Sequence, residues 1–139
     1  MCKLIEEYKK NKTFTGYKIV YINKDGKILS PVMGIEYKEG EKIPKLDKSI
    51  FETKEHTIYP ESVWVSPAKI ISDYFEEKMI GKTGVFVSKY AANSYLFNEI
   101  LKLGEEKVVK ITISGNLMKG YTAGYTIVAG EKIEKIEEL

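Results

Sequence analysis

Three runs of β-branched and aromatic residues constrain this chain most. They are Gly16-Tyr17-Lys18-Ile19-Val20-Tyr21-Ile22, Lys107-Val108-Val109-Lys110-Ile111-Thr112-Ile113 and Gly124-Tyr125-Thr126-Ile127-Val128. Such side chains fit a pleated, half-buried surface, so each run reads as a strand. In the second run Val109, Ile111 and Ile113 alternate with other residues, which is the period of a strand with one face in a core.

Turn residues punctuate these runs. Asn23-Lys24-Asp25-Gly26 follows the first and leads into Lys27-Ile28-Leu29-Ser30, a hairpin signal. Pro31 has no N–H to donate and is expected to stop that pairing. Ile35-Glu36-Tyr37-Lys38 reads as a further short strand closed by Glu39-Gly40. Val85-Phe86-Val87 reads as a buried strand, and Ser114-Gly115-Asn116 as a turn. Ile133 and Ile136 stand at a spacing that suits a helix or a bulged strand. Ala129-Gly130 as a hairpin turn tips that reading to strand.

Helix signals sit between the strands. Ser66-Pro67 is an N-cap with proline at the first helical position, and Ile70, Ile71, Tyr74, Phe75 and Met79 recur at helical spacing up to Gly81. Ser88 can cap a second helix with Ala91, Ala92, Tyr95, Leu96, Ile100 and Leu103 as its stripe and Gly104 as its end. Leu4, Ile5 and Tyr8 share a face if residues 3–10 form a short N-terminal helix. The expected fold is therefore a single α+β domain over residues 1–139. It would have a mostly antiparallel sheet, two main helices and that short N-terminal helix.

Composition narrows the function classes. The chain has 139 residues, of which 43% are hydrophobic and 30% charged, a balance that excludes collagen-like and disordered classes. No apolar run is long enough to span a bilayer. Cys2 is the only cysteine, so no internal disulfide or zinc cage is expected and a reducing, cytoplasmic setting is. All 22 basic residues are lysine, against 20 acidic ones. The net charge of +2 argues against nucleic acid as a partner. The absence of arginine removes bidentate phosphate clamps.

Residues 41–65 are the least regular stretch and read as a long loop with one short strand at Ser62–Val65, a feature often tied to function. The loop carries His56, the only side chain that ordinarily titrates near neutrality. Tyr59 and Trp64 flank it, and Tyr121 and Tyr125 belong to another glycine-rich loop, Gly120-Tyr121-Thr122-Ala123-Gly124-Tyr125. Tyr and Trp combine contact area with a polar tip, so these four and His56 are the candidate binding residues. Gly81-Lys82-Thr83-Gly84 looks like the end of a phosphate loop. Glu76 stands where that motif needs glycine, and the expected order of helix, loop and strand is reversed, so the stretch reads as a helix end and turn. No catalytic residue, cofactor or metal ligand is assigned.

Gly16-Tyr17-Lys18 through Gly26-Lys27, Ser30-Pro31, Gly34, Tyr37 and Gly40-Glu41 resemble the opening of small proteins carried by phages and mobile elements. Gly84-Val85-Phe86-Val87-Ser88, the helix after it, and Val108 to Leu117 are similar to their glycine–strand–helix–strand module. That module resembles the later half of ADP-ribosyltransferase-type folds. The resemblance implies a dinucleotide clamp by Arg or His on an early strand and a Glu before a late strand. Here Gly16–Ile22 has neither Arg nor His, and Ala123 and Gly124 precede Tyr125. The expected function is a small non-enzymatic binding or accessory module, such as a mobile-element inhibitor, engaging a protein or small ligand through its aromatic loops. An ADP-ribosyltransferase-like enzyme and a single-strand nucleic-acid binder are the alternatives.

Overall fold

The computed structural model describes residues 2–30, 35–45, 77–94, 104–122 and 124–139. More than half of them lie in strands: β1 (Cys2–Glu7), β2 (Thr13–Ile22), β3 (Ile28–Leu29), β4 (Thr83–Phe86), β5 (Glu105–Ser114), β6 (Met118–Thr122), β7 (Tyr125–Gly130) and β8 (Lys132–Glu138). They form one sheet in the order β1-β6-β7-β4-β2-β5-β8, with β3 paired to β2. All the strand pairings are antiparallel.

The strong sequence runs form the middle of this sheet. β2 and β5 pair over their full lengths, from Thr13 opposite Ser114 to Ile22 opposite Glu105. The alternation in β5 does what it predicts: Val109, Ile111 and Ile113 are fully buried. The β2–β3 hairpin turns at Asn23, whose side-chain oxygen accepts the N–H groups of Asp25 at 3.0 Å and Lys27 at 2.9 Å. Residues 35–37 continue from it through a bridge between Leu29 and Glu36 and a bond from Tyr37 N to Ile28 O at 2.8 Å. The Tyr37 hydroxyl then reaches Thr83 Oγ1 at 2.7 Å inside the core.

Two apolar clusters lie on the two faces of the sheet. The larger joins Val20, Val85, Val109, Ile111, Ile113, Leu117, Val128 and Ile133, so it draws on both halves of the strand order. The halves meet through one residue pair, Tyr17 opposite Phe86. Lys18 Nζ adds a second tie across that seam, donating to the Gly84 carbonyl at 2.8 Å. The second cluster holds Leu4, Phe86, Ile127 and Ala129 under Ala91 and Ala92 of the helix α1 (Lys89–Ser94). Ser88 caps that helix, its Oγ accepting the Ala91 N–H at 3.1 Å.

The expected α+β architecture with two main helices is corrected to a mostly antiparallel sheet. Among the described residues the only α-helix is α1, of six residues. The expected helix ending at Gly81 shows a 3-10 turn at Glu77–Met79, and residues 66–76 lie outside the described set. The expected N-terminal helix is a strand. Leu4 is 2% exposed and its neighbour Ile5 54%, which is strand alternation rather than a shared helical face. The expected glycine-rich loop from Gly120 to Tyr125 is corrected too, since Gly120, Tyr121 and Thr122 lie in β6 and Tyr125 in β7. Gly120 lets the β1 backbone approach, since a Cβ there would collide with the Lys3 carbonyl oxygen and stand 2.8 Å from Leu4 Cα. The C-terminal segment is a strand, as expected, with a bulge opposite Thr112 and Ile113. Ala129-Gly130 makes no hairpin, because β8 pairs with β5 and not with β7.

Both outer strands carry partial cover. Gly40 N donates to Ile133 O and Ile43 N to Glu131 O, which lays residues 40–43 along β8. Lys78 Nζ reaches the Leu4 carbonyl of β1 at 3.5 Å. No helix among the described residues is long and apolar enough to cross a membrane.

Candidate functional site

Of the five expected binding residues, His56, Tyr59 and Trp64 lie outside the described set. Tyr121 and Tyr125 lie on strands. Cross-strand partners share a face. Tyr121 is opposite Thr126 and Lys3, whereas Tyr125 is opposite Thr122. The two tyrosines therefore point to opposite faces of the β6–β7 hairpin. Tyr121 is 46% exposed. Tyr125 is half-buried, with its ring edge-on to Phe86 at 6.1 Å. The structure does not bring this pair onto one surface.

A cleft of about 630 Å³ opens at the other end of β6. Its lining comes from three chain turns. The end of β1 and the β1–β2 connection supply Glu7, Tyr8, Lys9, Asn11 and Lys12, the residue before β4 is Lys82, and the β5–β6 connection with the start of β6 supplies Gly115 to Met118.

The β5–β6 connection is the fixed wall. Gly115 and Asn116 have φ of +83° and +43°. Glycine accepts that region without a Cβ penalty, and asparagine is enriched there. Three other segments hold the turn. Glu131 N donates to Ser114 O at 2.9 Å and to Gly115 O at 3.1 Å, and Tyr8 N donates to Leu117 O at 2.8 Å. Asn116 Nδ2 donates to the Glu131 carboxylate at 2.7 Å, while Lys82 Nζ donates to the Asn116 carbonyl at 2.7 Å.

Lys82 is placed by its own turn. Its backbone N–H closes on Met79 O at 2.9 Å before the chain enters β4. The phosphate-loop-like stretch thus runs from a turn into a strand, with a 3-10 turn before it where the sequence reading has the end of a helix. Burial pushes the Lys82 ammonium below its ordinary pKa, and the carboxylates of Glu131 and Glu7 partly oppose that shift. On the facing wall Lys9 pairs with Glu7 at 3.2 Å, with both side chains largely exposed. Tyr8 packs edge-on to Phe14 at 5.4 Å and 78°.

The sequence reads Glu7, Tyr8 and Lys9 as helix and Lys82, Gly115 and Asn116 as turn, so it does not place them at one site. Lys82 lies in the stretch that looks like the end of a phosphate loop and Asn116 in a turn, and nothing local says that the two turns meet. Among the described residues no three His, Cys, Asp or Glu side chains come together as a metal site. Comparison with protein-family models, curated proteins and solved structures gives no match for this chain.

Proposed function

We propose that the protein is a non-enzymatic binding module whose cleft beside the β5–β6 turn receives an anionic group. One observation carries the reading: Lys9, Lys12 and Lys82 line a single cleft in which, among the described residues, Glu7 is the one lining carboxylate, and Lys9 already pairs with it. Lys12 and Lys82 then supply the charge, one from each wall. An ammonium is a compact point charge with three donors, so Lys82 can serve the Asn116 carbonyl and still donate to a ligand. The rigid turn fixes where that donor stands. The lone cysteine supports a reducing, cytoplasmic setting for the encounter.

Calorimetric titration of the full chain with inorganic phosphate at low ionic strength tests this. Saturable binding is expected, weakened by added salt as partly exposed charges are screened. Lys82→Met and Lys12→Met should each weaken it about tenfold, equivalent to about 1.4 kcal/mol. Thermal melts of both variants check that they remain folded. No saturable heat in the wild type, or affinity unchanged in both folded variants, overturns the reading.

A further inference from the structure

We infer that the anionic group of the ligand is carried on an aromatic body that rests on Tyr8. This deepens the proposed function and rests on it. The cleft is charged at its rim and apolar along one side, where Tyr8 and Leu117 stand together against the main core. Leu117 is 6% exposed and belongs to the main core, so this apolar side is continuous with the interior.

Tyr8 is built in rather than hung on the surface. Its N–H is bonded to the Leu117 carbonyl and its ring leans on Phe14, which packs against the same core. A ring already held in place loses little freedom when a second ring packs against it. Size points the same way. Small-molecule sites span about 300–1,000 Å³, and this cleft falls among them. A bare phosphate or carboxylate would leave most of that space to water. Among the described residues the charges around the cleft are Lys9, Lys12, Lys82 and Glu7, with Glu131 behind Asn116. They sum to one positive charge, enough to orient a single anionic group on a larger body and too few to hold a polyanion.

The experiment compares inorganic phosphate with phenyl phosphate, and acetate with benzoate, on the full chain by amide chemical-shift titration. Each aromatic member should bind about tenfold more tightly than its bare partner. Shifts should centre on Tyr8 and residues 115–118. Tyr8→Leu should abolish the advantage of the aromatic members while keeping the affinity for phosphate. The wild-type comparison needs no variant, so a Tyr8→Leu chain that fails to fold leaves the test intact. If phosphate binds in the cleft and phenyl phosphate binds no more tightly, the inference fails and the anion site stands. If neither series binds there, the anion site itself is refuted.

Discussion

Gly120→Ala is the most informative single change, because it separates a β1 strand from an N-terminal helix. In the observed register Gly120 lies opposite Leu4, between the pairs Lys3–Tyr121 and Glu6–Lys119. A methyl at Gly120 would meet backbone atoms of Lys3 and Leu4, which cannot rotate away as a side chain can. The two strands must separate or β1 must detach. Overpacking alone costs about 1–3 kcal/mol. Detachment re-exposes Leu4, now 2% exposed, for about 1.5–3 kcal/mol. The cheaper route decides, so the expected loss is about 2 kcal/mol. At roughly 4 °C per kcal/mol for a chain of this size, the midpoint should fall by about 8 °C. Urea unfolding gives the free energy. Hydrogen exchange should show amides of β1 and β6 losing protection before those of β2 and β5. Two further substitutions sharpen the contrast. Leu4→Ala should cost about 2–5 kcal/mol, whereas Ile5→Ala, at a side chain 54% exposed, should stay within about 0.5 kcal/mol. A helix over residues 3–10 would bury both and leave Gly120 indifferent. Equal losses at Leu4 and Ile5, with no cost at Gly120, would refute the strand.

Two further outcomes follow from buried and charged pairs. Thr83→Val strands the Tyr37 hydroxyl in the core and should cost about 1–3 kcal/mol, while Tyr37→Phe together with Thr83→Val should cost less than the two singles summed; an additive double-mutant cycle in urea would show that the 2.7 Å pair is not coupled. On the outer face of β8, the Ser114 hydroxyl and then Lys132 hold Glu134 below its ordinary pKa, while Lys135 does the same for Glu137. Their stabilisation is therefore full above pH 4.5 and lost as the pH falls through the depressed values, so stability should decline on acidification. Glu137 raises Lys135, whose share is full below pH 10.5 and lost as the pH climbs through the raised value. Ser114→Ala should flatten the acid decline of the urea midpoint, and an unchanged slope would remove Glu134 from the account.

The parts of the fold that the sequence shows are those specified by neighbouring residues. β5 is readable because Val109, Ile111 and Ile113 alternate. The β2–β3 hairpin is readable because Asn23 closes its own turn, and the start of α1 because Ser88 caps it. β1 is misread because Leu4, Ile5 and Tyr8 fit one helical face. In the structure the strand ends at Glu7, and Tyr8 is placed by its bond to Leu117. β6 is misread because Met118-Lys119-Gly120-Tyr121-Thr122 lacks the β-branched density of the other strands. Its glycine is there for close approach to β1, which only the partner reveals. The same limit hides the strand order, since β7 and β8 adjoin in sequence yet pair with β4 and β5. The cleft is the extreme case: Tyr8, Lys82 and Asn116 each sit in a turn with an ordinary local reason, and their meeting is set by pairings that span most of the chain.

Lysine as the sole basic residue gives that meeting its physical significance. A guanidinium brings its own planar fork and can orient an anion from one side chain, whereas an ammonium brings charge with little direction. In this chain direction must come from what holds the ammonium. The Asn116 carbonyl holds Lys82, the Glu131 carboxylate holds the Asn116 amide, and the Glu131 N–H holds the Ser114 and Gly115 carbonyls. Glu131 sits in the one-residue link between β7 and β8, where the chain leaves one half of the sheet for the other. The contacts that close this end of the fold are therefore the contacts that aim Lys82. A site built this way draws its precision from the rigidity of the sheet crossing rather than from the side chain that carries the charge.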